Sequence, residues 1–332
     1  KVLGVFKSDN KLFIESENSV YSSAFVFDGR PPYFDDLSTN DFNISQSFFG
    51  YKIKLEYDKF NDQVYHMMDF RVNQSKATQF IYILPYSKSE ALVELTRFGK
   101  QLLCKDEAKE ELNKFISKNY GSYEILDQER GVIPMSSVLP KSKSEENWVN
   151  IGTRAGNVKP STGYAFKNMY RHAKEICRGG RINAKKVTVN KRFLFYDQLL
   201  LIILTLWPLK GKPIFEQLFK AKSAHFVLRF LDEKTTLFEE LSMFGKLQIW
   251  YFSKALIFWF YLRIKLLLIP ILMVFSLLIF WDKPSSYTFE LHFIQLILLV
   301  IGLITIGIPH GALDHLTGFI SKEKKITLKF IL

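Results

Sequence analysis

A chain of 332 residues is longer than one domain usually needs and points to two units. Apolar residues make up 48%, with 31 Phe, enough for a large core and a lipid-facing surface, while Cys104 and Cys177 match no metal spacing and no disulfide framework, which excludes a disulfide-stapled module and fits a reducing compartment. The net charge of +12 comes with a hydrophobic C-terminus, which points to an anionic membrane surface rather than to nucleic acid.

In chain order, Val2 to Phe6, Lys11 to Glu17 and Val20 to Phe27 read as short strands separated by polar turns. The last runs into Asp28-Gly29-Arg30-Pro31-Pro32. Gln46 to Tyr57 and Val64 to Val72 alternate apolar and polar residues, which suggests an antiparallel sheet. Gln79 to Phe98 reads as a β-hairpin: Phe80 to Leu84 is apolar, Pro85 to Glu90 is turn-like, and Ala91 to Phe98 is the return strand. Both faces of that return strand are largely apolar, so it is expected to be buried on both sides. Glu94 stands within it, with Leu92 and Thr96 as its same-face neighbours. A carboxyl there loses hydration and its pKa rises, which keeps a proton donor ready near neutral pH; the alternative is a Glu paired with Arg97 or a Lys at a sheet edge.

Lys105 to Tyr120 follows as an amphipathic helix with Ala108, Leu112, Phe115 and Ile116 on one side. Tyr123 to Pro134 is a further strand, and residues 140 to 147 a polar loop. In the stretch 149–166, Gly152, Gly156 and Gly163 permit close backbone approach, and Thr162 and Gly163 are expected to open a helix through Tyr164, Phe166 and Met169. Arg171 to Arg192 is a basic, solvated face. Leu199 to Trp207 is too short to span a bilayer, which takes about 20 residues, and reads as a buried or membrane-dipping helix. Phe226 to Phe244 is helical in pattern, with Asp232 and Glu233 as capping residues.

The phrase LPYSKSEALVELT resembles the LP-S-(x)n-LVE-T stretch of the flavin-dependent lycopene cyclases. Further segments occur in that family's order: QSFFG at 46–50, Met68-Asp69-Phe70-Arg71, Ile133-Pro134-Met135, and GTRAG at 152–156 running on to KPSTGY at 159–164. The resemblance covers residues 1–255 and implies that Glu94 is the catalytic acid. It implies reduced FAD, with NAD(P)H as reductant, held in part by Asp28, Gly152, Pro160, Thr162 and Gly163, with Pro160 to Gly163 beside the flavin ring. It also implies lycopene as substrate and β-carotene as product. The G-x-G-x-x-G turn that receives a pyrophosphate is absent from these residues, and with Lys as the first residue the chain is expected to begin inside a longer reading frame.

At the C-terminal end, Leu266 to Trp281 and Leu291 to Ile308 are uncharged runs of 16 and 18 residues joined by DKPSSYTFE, which reads as a transmembrane hairpin. Arg263, Lys265 and the lysines from Lys322 onward place both outer ends, and the preceding region, on the cytoplasmic side. The second run enters Pro309-His310-Gly311-Ala312-Leu313-Asp314-His315, whose ionisable groups at a membrane helix end mark a functional site. That segment resembles the GLPHGALDH signature of the Brp/Blh family of integral-membrane, β-carotene-cleaving oxygenases, and the resemblance makes His310 a ligand of Fe(II).

The expected fold is therefore α+β. A partial FAD-dependent, Rossmann-like domain with an antiparallel substrate sheet spans 1–255. The first transmembrane hairpin of an oxygenase follows over 260–332. The expected function is lycopene β-cyclisation joined to retinal formation, at the cytoplasmic membrane and without nucleic acid. The other readings are a geranylgeranyl reductase-like isoprenoid flavoprotein, which the LVE-T stretch argues against, and a membrane-anchored fragment without activity.

Overall fold

The computed structural model describes residues 1–8, 11–32, 42–138, 147–178 and 190–264. The chain divides into two compact units, Lys1–Trp259 and Phe260–Leu332, and every strand among the described residues belongs to the first. The expected hairpin over 266–308 and its topology, together with His310, lie outside the described residues. Among the described residues no single helix is long and apolar enough to cross a membrane.

Three short strands, β1 (Val2–Ser8), β2 (Lys11–Ser16) and β3 (Val20–Ser23), form an antiparallel sheet. The expected strand over 20–27 is in fact two. The Ser23 hydroxyl donates to the Phe25 carbonyl at 2.7 Å, a local bond that diverts the backbone from its ladder. The chain then resumes as β4 (Val26–Asp28), which joins a different, parallel sheet.

The central sheet has five strands: β5 (Asn43–Leu55), β6 (His66–Asp69), β7 (Thr78–Pro85), β8 (Glu90–Gly99) and β9 (Tyr123–Ser136). Their order is β6-β7-β8-β5-β9, all antiparallel, so β8 is the middle strand. The expected strand over 64–72 shortens to the four residues of β6 because its register with β7 is irregular. The hairpin forms as expected, β7 pairing Tyr82 with Glu94 and Phe80 with Thr96.

One face of this sheet is covered by α1 (Lys105–Tyr120). Ala108, Leu112, Phe115 and Ile116 of α1 pack on Tyr51, Ile81, Val93 and Leu95. The expected apolar stripe of this helix is the buried one, and spacing at i, i+4, i+7, i+8 explains why. The opposite face carries Phe80 and Phe98 and meets Leu201, Leu204 and Phe215 of the C-terminal helices. Apolar cover on both sides is the physical reason that β8 reads as a nearly continuous hydrophobic run rather than an alternating one.

β10 (Trp148–Asn150) pairs with β4, and helices complete the unit: α2 (Phe166–Arg178), α3 (Lys191–Leu206), α4 (Gly211–Ala221), α5 (Ala224–Leu231), α6 (Leu237–Phe244) and a last helix from residue 249. The Leu199 to Trp207 run is the second half of α3. Leu201, Ile202, Ile203 and Leu204 are all at most 1% exposed, so every side of the helix is packed within the protein. The single helix expected over 226–244 is broken. Glu233 takes the left-handed backbone at φ 60°, and Thr236 with Glu239 makes a reciprocal capping box that starts α6 afresh.

Candidate functional site

Glu94 lies on the face of β8 that looks toward α3 and α4. Directly opposite residues of antiparallel strands share a face, so Glu94 stands in a row with Tyr82 of β7 and Gly50 of β5. Leu92 and Thr96 are its same-face neighbours along the strand. Arg97 points to the other side, where it binds Glu107 and donates to Gln79 Oε1 at 2.6 Å. Pairing of Glu94 with Arg97 is thereby excluded, and β8 is not an edge. Among the described residues no lysine or arginine forms an ion pair with Glu94. The Thr96 hydroxyl donates to its Oε1 at 2.8 Å.

The side chain is 9% exposed. Burial pushes its carboxyl up to about 8, the Glu129 carboxyl adds to the rise, and the Thr96 bond opposes it. Glu94 is therefore protonated at neutral pH. The Tyr82 hydroxyl is raised as well, first by burial and then by Glu94 beside it.

Tyr82 lines a cavity of about 400 Å³ between the sheet and the helices. Met68 and Phe98 form its sheet wall, and Leu200, Phe215 and Phe244 its helix wall. Its lining is largely apolar, the character of sites that take apolar ligands. Glu94 stands beside Tyr82 on the same sheet face, next to the residues that line the cavity.

The polar part of the lining is built from Gln46, Lys159, Ser161, Thr162, Gly163 and Asp197. Lys159 donates to the Asp197 carboxylate at 3.1 Å and to Glu233 at 3.4 Å, and Ser161 donates to Asp197 at 2.6 Å. Burial pushes the Asp197 carboxyl up while Lys159 and Ser161 pull it down. This pair pins the turn of residues 159–164 to α3. Within the turn, Lys159 N–H donates to the Tyr164 carbonyl and Gly163 N–H to the Lys159 carbonyl.

Gly163 takes φ +69°, and a Cβ on it would lie 2.1 Å from Gln46 Oε1. Only glycine fits there. This left-handed residue also breaks the helix expected to open at Thr162 and Gly163: α2 begins at Phe166. Thr162 instead accepts, through its hydroxyl, a 3.4 Å bond from Tyr164 N–H. Gln46 Oε1 is buried at the cavity and has no hydrogen-bond partner among the described residues.

Of the sequence-predicted residues, Thr162 and Gly163 line the cavity, with Pro160 in the same turn, and Glu94 stands beside the lining residue Tyr82. Asp28 and Gly152 gather at a separate place. Asp28 ends β4, is 4% exposed, and accepts from Arg30 at 2.7 and 3.0 Å, while Arg154 approaches it to 3.0 Å. These bonds hold its carboxyl below the usual carboxylate range against the opposing effect of burial, which is the largest single influence. Arg154 belongs to the short turn that starts at Gly152, itself at φ +64°. Sequence reasoning gave no role to Tyr82, Lys159, Asp197 or Glu129. Asp197 carried a signal, as a lone carboxyl within the apolar run of α3.

The family described as lycopene cyclase protein matches residues 1–255. None of the curated proteins matches the chain. Among solved structures, a geranylgeranyl bacteriochlorophyll reductase-like protein from Thermoplasma acidophilum is 15% identical with a TM-score of 0.41, covering 76% of this chain and 68% of its own. The p-nitrophenol 4-monooxygenase PnpA from Pseudomonas putida DLL-E4 is 12% identical with a TM-score of 0.38, covering 78% of this chain and 66% of its own. This chain thus spans about two thirds of each. With the family matched over more than three quarters of its length, the chain belongs to the lycopene cyclase family.

Proposed function

We propose that this chain carries the acid and the substrate chamber of a lycopene β-cyclase. The observation that supports this most is a buried carboxyl, free of any cationic partner among the described residues, paired across the strands with Tyr82, which lines a largely apolar chamber. A neutral acid in such surroundings gives up its proton to a carbon–carbon double bond only because the alternative bases, above all water, are kept away. In this reading Glu94 delivers its proton to the terminal double bond of one end of lycopene and becomes a carboxylate. The resulting tertiary cation is attacked by the neighbouring double bond, which closes the six-membered ring. A ring proton then leaves, and Glu94 can receive it. The overall change is an isomerisation, with no electron gained or lost.

The Glu94 carboxylate and the aromatic wall stabilise the cation in a medium of low dielectric, where a negative charge acts strongly. Thr96 holds Oε1, so Oε2 is the atom left to face the substrate or a second acid.

For the flavin, the fit is partial. The turn at 159–164, the Gly163 conformation and the unpartnered Gln46 oxygen suit contact with the polar edge of a ring system. Pro160, Thr162 and Gly163 would hold that edge. Asp28 has its carboxylate oxygens engaged by Arg30 and Arg154, so its part is to order the turn at Gly152 rather than to touch a ligand. A bound FAD, reduced by NAD(P)H, would supply an electron-rich ring held by Pro160, Thr162 and Gly163.

The test is production of the native protein in cells that accumulate lycopene. Conversion to β-carotene is expected; unchanged lycopene together with a reduced isoprenoid product would contradict the reading and favour a reductase. For the C-terminal residues, the proposal remains that His310 serves Fe(II) in a β-carotene-cleaving oxygenase, since β-carotene would then pass from one reaction to the next within the membrane. His310→Ala in the native protein should leave cyclisation intact and make β-carotene accumulate; unchanged retinal would refute the role of His310.

A further inference from the structure

We propose that Glu129 exchanges protons between water and Glu94, across Gly50, and so sets the protonation of the acid. The proposal rests on the reading of Glu94 as the cyclising acid. The strand register brings the two carboxyls together. Gly50 of β5 is paired with Glu94 of β8 on one side and with Glu129 of β9 on the other, so the three residues form one row across three strands on one face. Neighbouring strands lie about 4.8 Å apart, so two glutamates two strands apart meet only if the residue between them is small. Glycine provides that gap. A Cβ at Gly50 would stand 3.3 Å from Glu94 Cβ and 3.4 Å from Glu129 Cγ.

The two carboxyls differ in what surrounds them. Glu94 is buried, with 9% of its surface exposed, whereas Glu129 is exposed on edge strand β9. Glu129 thus stands between solvent and the acid. A carboxyl enclosed in an apolar wall needs such a relay to regain a proton when the ring proton of the product leaves by another path. The negative charge of Glu129 also raises the Glu94 carboxyl. Glu129 acts through Glu94 and is a positioning residue for its proton, not a group that touches substrate. Each transfer is a proton passing from one carboxyl oxygen to the other, balanced by one taken from water; no electrons move.

Other titratable or charged groups face the same place. They are Tyr82 of β7, with Tyr65 near it, Lys52 of β5 and Asp127 of β9. From the helix side come Lys159 and Asp197, which bind each other. Lys52 is opposite Asp127 in the register, with its ammonium over the Tyr86 ring, and of the carboxylates here it is Glu129 whose charge raises Glu94.

The test is the pH dependence of lycopene cyclisation in the native, flavin-loaded protein, compared among wild type, Glu94→Gln, Glu129→Gln and Gly50→Ala. Removing the like charge lowers the pKa of Glu94, so the alkaline limb of activity should move to lower pH in Glu129→Gln by roughly one unit. Glu129→Asp should restore part of the shift. Gly50→Ala, which wedges the two carboxyls apart, should shift the limb the same way. If Glu94→Gln is inactive but the limb in Glu129→Gln stays where it is in wild type, the inference is overturned while the acid stands. If Glu94→Gln cyclises normally, the underlying reading of the acid has failed instead.

Discussion

Glu94→Gln in the native protein should lower lycopene cyclisation by at least about 100-fold, the lower range of what a positioned general acid contributes. Glutamine keeps the volume of the side chain, and its amide oxygen can still accept the Thr96 hydrogen bond at the Oε1 position. What it lacks is a transferable proton. Folding should survive, because the substitution removes a group whose burial is costly. The sign follows from linkage. A carboxyl raised to about 8 in the folded protein binds its proton more tightly there than in the unfolded chain. Its contribution to stability is whole below the ordinary carboxylate range and is lost as pH rises toward 8. Glu94→Gln should therefore flatten the decline of stability across that interval in thermal melts taken at several pH values. Loss of activity with unchanged or improved melting at pH 8 is the expected combination. Loss of both would mean that Glu94 is structural.

Asp197→Ala should have the largest effect on folding. It takes from Lys159, which is 3% exposed, its 3.1 Å partner and leaves the longer contact to Glu233 and the face of the Phe193 ring 5.3 Å away. Removing one member of a buried pair costs about 3 to 5 kcal/mol where the charge left behind has no other partner, and the contact to Glu233 at 3.4 Å holds the cost to the lower part of that range. Ser161 loses its 2.6 Å acceptor at the same time. The turn at 159–164 would then come away from α3, so cyclisation should fall along with the melting temperature. The double variant Lys159→Met with Asp197→Leu should melt higher than either single one, since it removes both charges together and fills the space. If the double variant is as unstable as the sum of the two singles, the pair is not coupled as the geometry indicates.

These two residues also show how far the sequence could be read. The burial of Glu94 was legible because its strand is apolar on both faces, and such a strand is covered on both sides wherever it lies. The stripe of α1 was legible for a related reason: a period of 3.6 needs no knowledge of the partner. Glu129 was not, because strand order decides which residues meet across β5, and alternation along a strand says nothing about its neighbours. The ion pair of Lys159 with Asp197 joins residues 38 apart in sequence through helix packing, again invisible to local pattern. The helix expected at Gly163 failed for a different reason. A glycine that permits a helix equally permits the left-handed turn, and the closeness of Gln46 settles which is adopted. The break before α6 was in principle readable, since Thr236 and Glu239 have the spacing of a capping box, but the apolar periodicity on either side masked it.

Glu94 is expected to hold a proton at neutral pH inside the protein. Infrared difference spectroscopy of the native protein across a pH titration tests it most directly, because a protonated carboxyl has its own carbonyl stretching band. The account predicts a band present at pH 7, lost with a midpoint at about 8, and missing from Glu94→Gln. A spectrum of the wild-type protein that matches that of Glu94→Gln throughout, with no carboxyl titrating above the ordinary carboxylate range, would contradict it.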